Sequence, residues 1–527
     1  MGDFFDCVIV GSGVAGSLLA RELAKAGKRV CMLEAGDRWE RSDALERYHA
    51  SWNRTITAPY KQGNWLLTPA DDQYFAKQGH GEYLPSILKG AGGTTWHWTG
   101  ITPRFLPTDF KLQQHYGVGD NWPIDYEALE PFYCQAEKAL GVSGDSNHDH
   151  GSPRSKKYPM PAIPMTYGDK LLAEKLKAKG IRIESLPAAR NSIDYDGRPA
   201  CRGNNTCTPI CPIGASYSAD VDVDKAIAAG AVLKLKSVAY RLDTDPKSNK
   251  ITKLHYKKPD GSSHTIEGGR FILACNSLEN PRLLLMSKNN LNPNGIANSS
   301  DLVGRRLMDH AIFSFKFRMS EPLYIGRGPQ SVSTIMEGRD GDFRSRYAAA
   351  KFFLGNDLNV HQEAAELMNN AANWVEPLKN LRDIAIHQGQ IGAEIEQLPD
   401  KSNRITLDMN RLDPLGLPLP SVNYKLTRYS KQGLDHWKRY VKKLIRTLDA
   451  SITGEWDSLS SHHPAGTTCM GSHRKSSVVN ANCQSHDHEN LYIVGNSVFP
   501  TMGTANPTLT IAALSLRLAD HLITASK

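Results

Sequence analysis

Residues 6–36 carry the pattern that most limits how this chain can fold. A short apolar run at 7–10 is followed at once by a glycine-rich turn and by a helix with leucines on its inner face. A second apolar run, 29–33, ends at the acidic residue Glu34. Strand, turn, helix, strand and acid in this order predict a βαβ unit of a parallel sheet, the usual frame of a dinucleotide-binding domain.

The turn itself has the spacing Gly11-x-Gly13-x-x-Gly16. Gly11 permits the tight turn, Gly13 lets a pyrophosphate approach the backbone, and Gly16 allows the helix to pack closely on the strand. The free N–H groups and the positive dipole end of the helix favour phosphate. Glu34 is placed to accept hydrogen bonds from the adenosine ribose. We therefore predict dinucleotide binding, with a chance glycine-rich turn as the alternative.

Length and charge exclude several classes of protein. A chain of 527 residues predicts two or more subdomains. The formal net charge is +8, but Lys and Arg alternate with acidic residues, so nucleic acid is not an expected partner. No apolar segment reaches the roughly 18 residues of a membrane helix. No leader pattern precedes the first strand, so we expect no export signal and no membrane anchor in the chain itself.

A second glycine-rich segment occupies residues 89–105. Gly92, Gly93 and Thr94 let the backbone lie close to something flat or phosphorylated, and His97 follows between two tryptophans. The alternative interpretation is a glycine turn that leads into a buried aromatic strand with one hydrogen-bonded histidine.

Three of the nine cysteines lie within eleven residues, as Cys201, Cys207 and Cys211. Thiolates at this spacing in a loop of Gly, Asn and Pro can converge on one iron–sulfur cluster, and three ligands favour [3Fe–4S] over [4Fe–4S]. A local disulfide with one spare thiol is the alternative. Zinc is less favoured because no nearby His or Cys offers a fourth ligand.

From about residue 311 to 456 the pattern changes to alternating strands, at 313–319, 404–409 and 422–426, and helical stretches near 360–390 and 430–450. This pattern predicts a separate domain built on an antiparallel sheet. The chain closes with a Gly-Thr-Thr turn after His462 and His463, and with Asn506 in the loop before a long apolar helix. Two polar groups at two loop ends near a dinucleotide indicate a catalytic site.

At these C-terminal residues the sequence resembles the glucose–methanol–choline (GMC) oxidoreductases. Four blocks carry the resemblance: GSGVAG with Glu34, GAGGTTWHW, CNSLENPRLLL, and HPAGTT paired with GTANPTLT. It implies FAD and an α/β fold, with a Rossmann-like FAD-binding domain of discontinuous segments and a substrate domain with an antiparallel sheet and helices. We expect the FAD domain at 1–110, 200–310 and 457–527, with an iron–sulfur loop at 200–215, and the substrate domain at 111–199 and 311–456.

Within the family, the run RNSIDYDGRPACRGNNTCTPICPIGA from Arg190 is similar to the large subunits of bacterial membrane-bound gluconate, fructose and glucose dehydrogenases. This resemblance implies that Cys201, Cys207 and Cys211 ligate a [3Fe–4S] cluster; Arg202 stands where relatives often have a further Cys. It implies an FAD bound covalently through His97, and a catalytic pair formed by His463 and Asn506, with His462 structural. It also implies further cofactor contacts, at Gly11, Gly13, Gly16, Glu34, Gly92, Gly93, Thr94, Val238 and Asn496.

The resemblance implies an FAD-dependent dehydrogenase that oxidises a secondary alcohol of a sugar or sugar acid. We favour D-gluconate, oxidised at C2 to 2-keto-gluconate, over fructose, sorbitol or glucose; an oxygen-using sugar oxidase and a non-catalytic flavoprotein are further alternatives. The expected partners are a small chaperone-like subunit that carries the export signal and a multihaem cytochrome c that carries the membrane anchor and receives electrons from the cluster. The expected location is the periplasm, at the membrane only through that partner.

Overall fold

The structure is a computed structural model that describes residues 4–51, 55–79, 83–357, 364, 368 and 375–525. The strands of these residues are β1 Phe4–Val10, β2 Val30–Leu33, β3 Ser143–Gly144, β4 Met160–Pro161, β5 Glu184–Ser185, β6 Val232–Lys234, β7 Val238–Thr244, β8 Ile251–Lys257, β9 Ser263–Leu273, β10 Ala311–Arg318, β11 Ser333–Thr334, β12 Ala350–Gly355, β13 Gln388–Ile395, β14 Arg404–Leu412, β15 Pro418–Asn423, β16 Ser451–Ser458 and β17 Leu491–Ile493.

The α-helices of the same residues are α1 Val14–Lys25, α2 Arg41–Ala50, α3 Leu112–Tyr116, α4 Tyr126–Leu140, α5 Tyr167–Lys177, α6 Asp220–Ala228, α7 Glu279–Met286, α8 Val375–His387, α9 Arg428–Arg446 and α10 Thr508–Thr524. Across the described ranges, none of these helices has the length and apolar character needed to span a membrane.

The predicted βαβ unit forms the centre of a seven-stranded sheet. Its order is β6-β2-β1-β9-β8-β7, and β17 pairs with β9. β1 runs parallel to both β2 and β9, and β17 is parallel to β9, whereas β7 and β8 extend the sheet in antiparallel fashion. The central strands are buried in one core together with α1 and α10, which explains their continuous apolar sequences.

The antiparallel sheet predicted after residue 311 has the order β12-β13-β10-β16. Its side chains alternate, as the strand geometry requires. One face carries phenylalanines such as Phe313 and Phe352, which belong to a core of their own in which Phe352 packs against Trp437 of α9. The other face carries polar side chains, among them Lys351, which lies directly opposite Glu394. The sheet therefore presents a polar face away from α9.

The pairing of β14 with β15 differs from the sequence-based prediction, and the packing of α4 adds to it. β14 and β15 pair with each other as a two-stranded hairpin and do not join the four-stranded sheet. Helix α4 packs against α10, and its buried residues belong to the core of the seven-stranded sheet. The domain boundaries named above stay a prediction, and residues 358–363, 365–367 and 369–374 of the expected helical stretch lie outside the described residues.

Candidate active site

A cavity of about 530 Å³ lies between the carboxyl ends of the parallel strands and the polar face of the antiparallel sheet. In sheets of this kind ligands bind at the carboxyl ends of the strands. Ten of the predicted site residues line the cavity: Gly11, Gly13, Glu34, Gly93, Thr94, His97, Val238, Asn496, His463 and Asn506. Gly16 and Gly92 are not among the lining residues. One cavity thus brings together the dinucleotide-type residues and the expected catalytic pair.

The first glycine turn has the geometry that a pyrophosphate requires. Gly11 has φ +97°, and a Cβ there would lie 2.7 Å from the carbonyl oxygen of Ala274. A Cβ on Gly16 would lie 2.0 Å from the carbonyl oxygen of Gly11, so helix and turn touch directly. A Cβ on Gly13 would meet no atom within 4 Å, although Gly13 lines the cavity. This open space beside the N-terminus of α1 is where a phosphate fits.

Glu34 is held rigidly at the end of β2. Its carboxylate accepts hydrogen bonds from the backbone N–H of Ser12 (3.1 Å), from the Ser12 hydroxyl (2.7 Å) and from the N–H of Gly36 (3.0 Å). A carboxylate has about four lone-pair sites, so acceptor capacity is left for a ligand in the cavity. The arrangement fits a ribose, as the sequence predicts.

The second glycine segment forms a tight turn against the first. Gly92 has φ +89° and donates its N–H to the carbonyl oxygen of Ser12 at 3.2 Å. A Cβ on Gly93 would lie 3.3 Å from the Cα of Gly13. Thr94 lies in the short 3₁₀ helix Gly93–Trp96, and its hydroxyl accepts from the N–H of Leu88 at 3.3 Å. The two glycine segments therefore build adjacent walls of one cavity.

His97 follows that turn and is 4% exposed. Among the described residues neither ring nitrogen has a hydrogen-bond partner, which is unusual for a buried imidazole. Burial lowers the pKa of His97 to about 3, so the ring is neutral. The predicted alternative, a hydrogen-bonded histidine in an aromatic strand, does not match this geometry. A neutral, unpartnered imidazole on the cavity wall fits an attachment point for a cofactor.

At the other end of the cavity His463 and Asn506 are in contact, with the Asn506 Nδ2 3.2 Å from the His463 Nε2. The Nδ1 atom of His463 lies 2.8 Å from the Ser461 hydroxyl and 3.1 Å from Nδ1 of His310. Asn506 ends the loop immediately before α10 and is buried. The predicted pair therefore converges at one point, although its members are far apart in the chain.

The electrostatics of this end keep His463 unprotonated. Burial lowers the pKa of His463 to about 3, and the Glu394 carboxylate only partly opposes that shift, so the ring is neutral. Asp309 accepts the backbone N–H of His463 at 3.0 Å and fixes the loop. His462 points its Nδ1 to the N–H of Ser86 at 3.0 Å, which agrees with the structural role expected for it.

Sequence reasoning missed Lys351, Glu394, His310 and Asp309. Lys351 and Glu394 each stand between apolar residues of a strand, and a charge at such a position is the signal that could have identified them. The Asp-His step at 309–310 ends a short polar segment and carries no comparable signal. Ligand atoms of His310, Glu394 and His463 lie within 4.8 Å of one another, but the Lys351 ammonium already neutralises the carboxylate at 2.8 Å. The trio therefore does not favour a metal ion.

The three clustered cysteines line a separate, small cavity in the loop between β5 and α6. The nine cysteines all lie among the described residues and none is disulfide-bonded, so the local disulfide is not formed. The Cys201 sulfur accepts the N–H of Gly203 at 3.4 Å, and burial raises the pKa of Cys201. Three unpaired thiols that face one cavity, with a backbone donor, are compatible with an iron–sulfur ligand set.

Comparisons with known proteins agree with this site. A family model described as GMC oxidoreductase matches residues 399–515, and one described as NAD(P)-binding Rossmann-like domain matches 9–39. The fructose dehydrogenase large subunit of Gluconobacter japonicus is 37% identical over 538 residues, which cover 98% of this chain and 97% of that protein. This chain is a GMC oxidoreductase.

Two further comparisons extend the family identification. The gluconate 2-dehydrogenase flavoprotein of Pantoea cypripedii is 24% identical to this GMC oxidoreductase, with 97% of this chain and 92% of that protein covered. The structure of formate oxidase from Aspergillus oryzae has a TM-score of 0.69 at 14% identity and covers 100% of this chain and 99% of that one. That structural likeness supports the fold alone.

The family and fold predicted from the sequence are thus confirmed. For a GMC oxidoreductase the dinucleotide is FAD, and the residues present fit it: the open space at Gly13, the spare acceptor capacity of Glu34 and the unpartnered His97 all face one cavity. The protein is an FAD-dependent enzyme, as expected.

Proposed function

We propose that this GMC oxidoreductase is a dehydrogenase that oxidises a secondary alcohol of a sugar, with D-fructose as the first candidate. The observation that carries the reaction type is the contact between a neutral, buried His463 and Asn506 in the cavity that also holds the dinucleotide residues. The 37% identical relative named fructose dehydrogenase supports the substrate.

The chemistry assigned to the chain's own residues is proton removal and positioning. His463 is neutral, and it takes the hydroxyl proton of the substrate on Nε2 as general base. Asn506 holds the substrate oxygen without titrating. FAD, when bound, supplies the acceptor for the carbon-bound hydride. The alcohol thus loses one hydride and one proton and becomes a ketone.

The charge of the cavity favours a neutral sugar over a sugar acid. Among the described residues that line it, the only lysine is Lys89, whose ammonium pairs with Glu279 at 2.7 Å, and no arginine lines it. Beside the catalytic pair Lys351 is already paired with Glu394, so its ammonium is not left to bind a substrate carboxylate. The net charge of +8 does not extend to this cavity, so it gives no reason to prefer a sugar acid such as D-gluconate. D-Gluconate is the second candidate, supported by the 24% identical relative.

We further propose that His97 holds FAD covalently, because its buried ring nitrogens lack partners in the described structure. Cys201, Cys207 and Cys211 would hold a [3Fe–4S] cluster, which supplies a one-electron carrier when bound. A carrier of this kind suits an external electron acceptor, so we propose a multihaem cytochrome c partner. We also propose a small chaperone-like subunit and a periplasmic location at the membrane. One relative is named a large subunit, which is consistent with such partners.

The function is tested by dye reduction with D-fructose, D-gluconate, D-sorbitol and D-glucose, using the full chain loaded with FAD. We expect D-fructose to give the highest kcat/KM and peroxide to stay far below substrate loss. His463→Ala should lose about 10²–10⁴-fold in rate with its flavin content retained. His264→Ala, a change at an exposed histidine of β9, is the matched control. Dye reduction that survives in His463→Ala would refute the assigned base, and stoichiometric peroxide would indicate an oxygen-using oxidase.

A further inference from the structure

Lys351 is a fully buried charge that the proposed reaction does not use. It is the second residue of β12 and lies directly opposite Glu394 of β13, on the face of the sheet that looks toward the cavity. Its Nζ is 2.8 Å from the Glu394 Oε2. A buried ion pair is weak evidence of stabilisation, because desolvation offsets the attraction between the charges. Its position beside the active site calls for another explanation.

The same ammonium group also contacts Asn506. The Lys351 Nζ lies 2.5 Å from the Asn506 Oδ1, and the Asn506 Nδ2 lies 3.2 Å from the Glu394 Oε1. An ammonium group can only donate, and a carboxylate can only accept. The carbonyl end of the Asn506 amide must therefore face Lys351, and the NH₂ end must face Glu394. The ion pair fixes an orientation that the amide alone would leave open.

The orientation of Asn506 determines the protonation of His463 in turn. The second hydrogen of the Asn506 NH₂ group is directed at the His463 Nε2 at 3.2 Å, so this nitrogen must carry a lone pair. The ring proton then sits on Nδ1 and is donated to the Ser461 hydroxyl at 2.8 Å. The lone pair of His463 is therefore held on Nε2, the atom that takes the substrate proton in the proposed reaction.

We propose that Lys351 is a positioning residue that orients the Asn506 amide and thereby holds His463 in the tautomer whose Nε2 carries the lone pair and whose Nδ1 carries the proton. This inference rests on the proposed alcohol oxidation for its role in the reaction. The geometry itself does not depend on the substrate. Lys351 belongs to neither the cofactor end of the cavity nor the residues that line it.

The test compares Lys351→Met with the double variant Lys351→Met/Glu394→Gln, both in the full chain loaded with FAD. Lys351→Met leaves the buried Glu394 carboxylate without its partner, and a lone buried charge can prevent folding. The double variant has no charge at either position, and its side chains are close in shape to the original pair, so it avoids that risk. Lys438→Met is the control, since Lys438 pairs with Glu455 on the far side of the sheet. The rate of flavin reduction by D-fructose is measured in a stopped-flow instrument.

We expect both variants to reduce flavin about 100-fold more slowly than the unaltered protein, with KM little changed, because the reacting groups are misplaced. Lys438→Met should keep the full rate. If Lys351 only balances the charge of Glu394, the double variant would regain the wild-type rate, and that result would overturn the proposal. So would an unchanged rate in Lys351→Met.

A second measurement is independent of any substrate. The His463 ring is titrated by NMR in ¹³C-histidine-labelled protein, with its signal assigned by the His463→Ala variant. The groups that face it are Glu394, Lys351, His310, His462 and Asp309. Loss of the Lys351 charge should raise the pKa of His463, since that ammonium opposes protonation of the ring. We also expect the neutral ring to populate the Nδ1–H tautomer less strongly relative to the Nε2–H tautomer. An unaltered tautomer and pKa in Lys351→Met refute the positioning role, while failure of D-fructose in the unaltered protein would refute only the proposed substrate.

Discussion

The strongest test of the cofactor cavity is a pair of substitutions three residues apart, Gly13→Ala and Gly16→Ala. Both add one methyl group to the same glycine turn. Gly13 has φ −69° and ψ −169°, which alanine adopts readily, and its Cβ would enter open cavity. The Cβ of Gly16 would instead lie 2.0 Å from a carbonyl oxygen of Gly11, whereas ordinary contacts begin at 3.4 Å. The first change affects the ligand site and the second affects the fold.

The structure gives different magnitudes for the two changes. For Gly13→Ala, loss of a good N-cap residue and the lower entropy of the unfolded chain nearly cancel, so the free energy of unfolding should change by less than about 0.5 kcal/mol. A methyl group in the space of the pyrophosphate should cost about 1–3 kcal/mol of binding, which corresponds to roughly 5–150-fold weaker FAD binding. For Gly16→Ala the helix must move away from the turn, and we expect a loss of about 3 kcal/mol or more in the free energy of unfolding.

Both substitutions are made in a His97→Ala background, so that no covalent bond can retain FAD. Urea unfolding of the apoprotein gives the stability, and equilibrium dialysis gives the dissociation constant of FAD. Normal FAD affinity in Gly13→Ala would refute the assignment of that open space to the pyrophosphate. Normal stability in Gly16→Ala would refute the close contact of helix and turn.

Three further predictions concern other parts of the molecule. Acid-precipitated protein should keep its flavin fluorescence, and His97→Ala should release FAD into the supernatant; free FAD from the unaltered protein would contradict the covalent link. Cys207→Ser should lower the iron and sulfide content measured per chain, whereas Cys469→Ser, at a buried thiol outside the loop, should leave it unchanged. Burial raises the pKa of Asp309 to about 7, so the folded chain holds a proton that the unfolded chain loses above about pH 4. Its contribution to the free energy of unfolding therefore declines as pH rises from about 4 to 7, and Asp309→Asn should flatten that part of the urea-unfolding profile.

The parts of the site that follow from local sequence are predictable. Gly11, Gly13, Gly16 and Glu34 belong to one continuous pattern whose spacing fixes strand, turn and helix together, and the structure places them as expected. His463 and its partner Asn506 are identified by motif. Their contact depends on the tertiary fold.

The parts that escaped sequence reasoning depend on long-range pairing. Glu394 meets Lys351 only through the register of β12 with β13, and a one-residue slip would turn either side chain to the opposite face. The sequence around His97 was equally compatible with a strand, because the tight turn before His97 depends on the close approach of Gly93 to Gly13. No local pattern specifies either contact.

The seven-stranded sheet also bears on when the cofactor cavity can form. Leu491 of β17 pairs with Phe271 of β9, which is 491 − 271 = 220 residues earlier in the chain. At a synthesis rate of about 5–20 residues per second, roughly 11–44 s separate the emergence of the two strands. Until then the nascent chain exposes an unpaired, apolar edge of β9, and Asn506 emerges only after β17. Enclosure of FAD is therefore a late event in the biogenesis of this protein, and the growing chain needs protection at that edge before it.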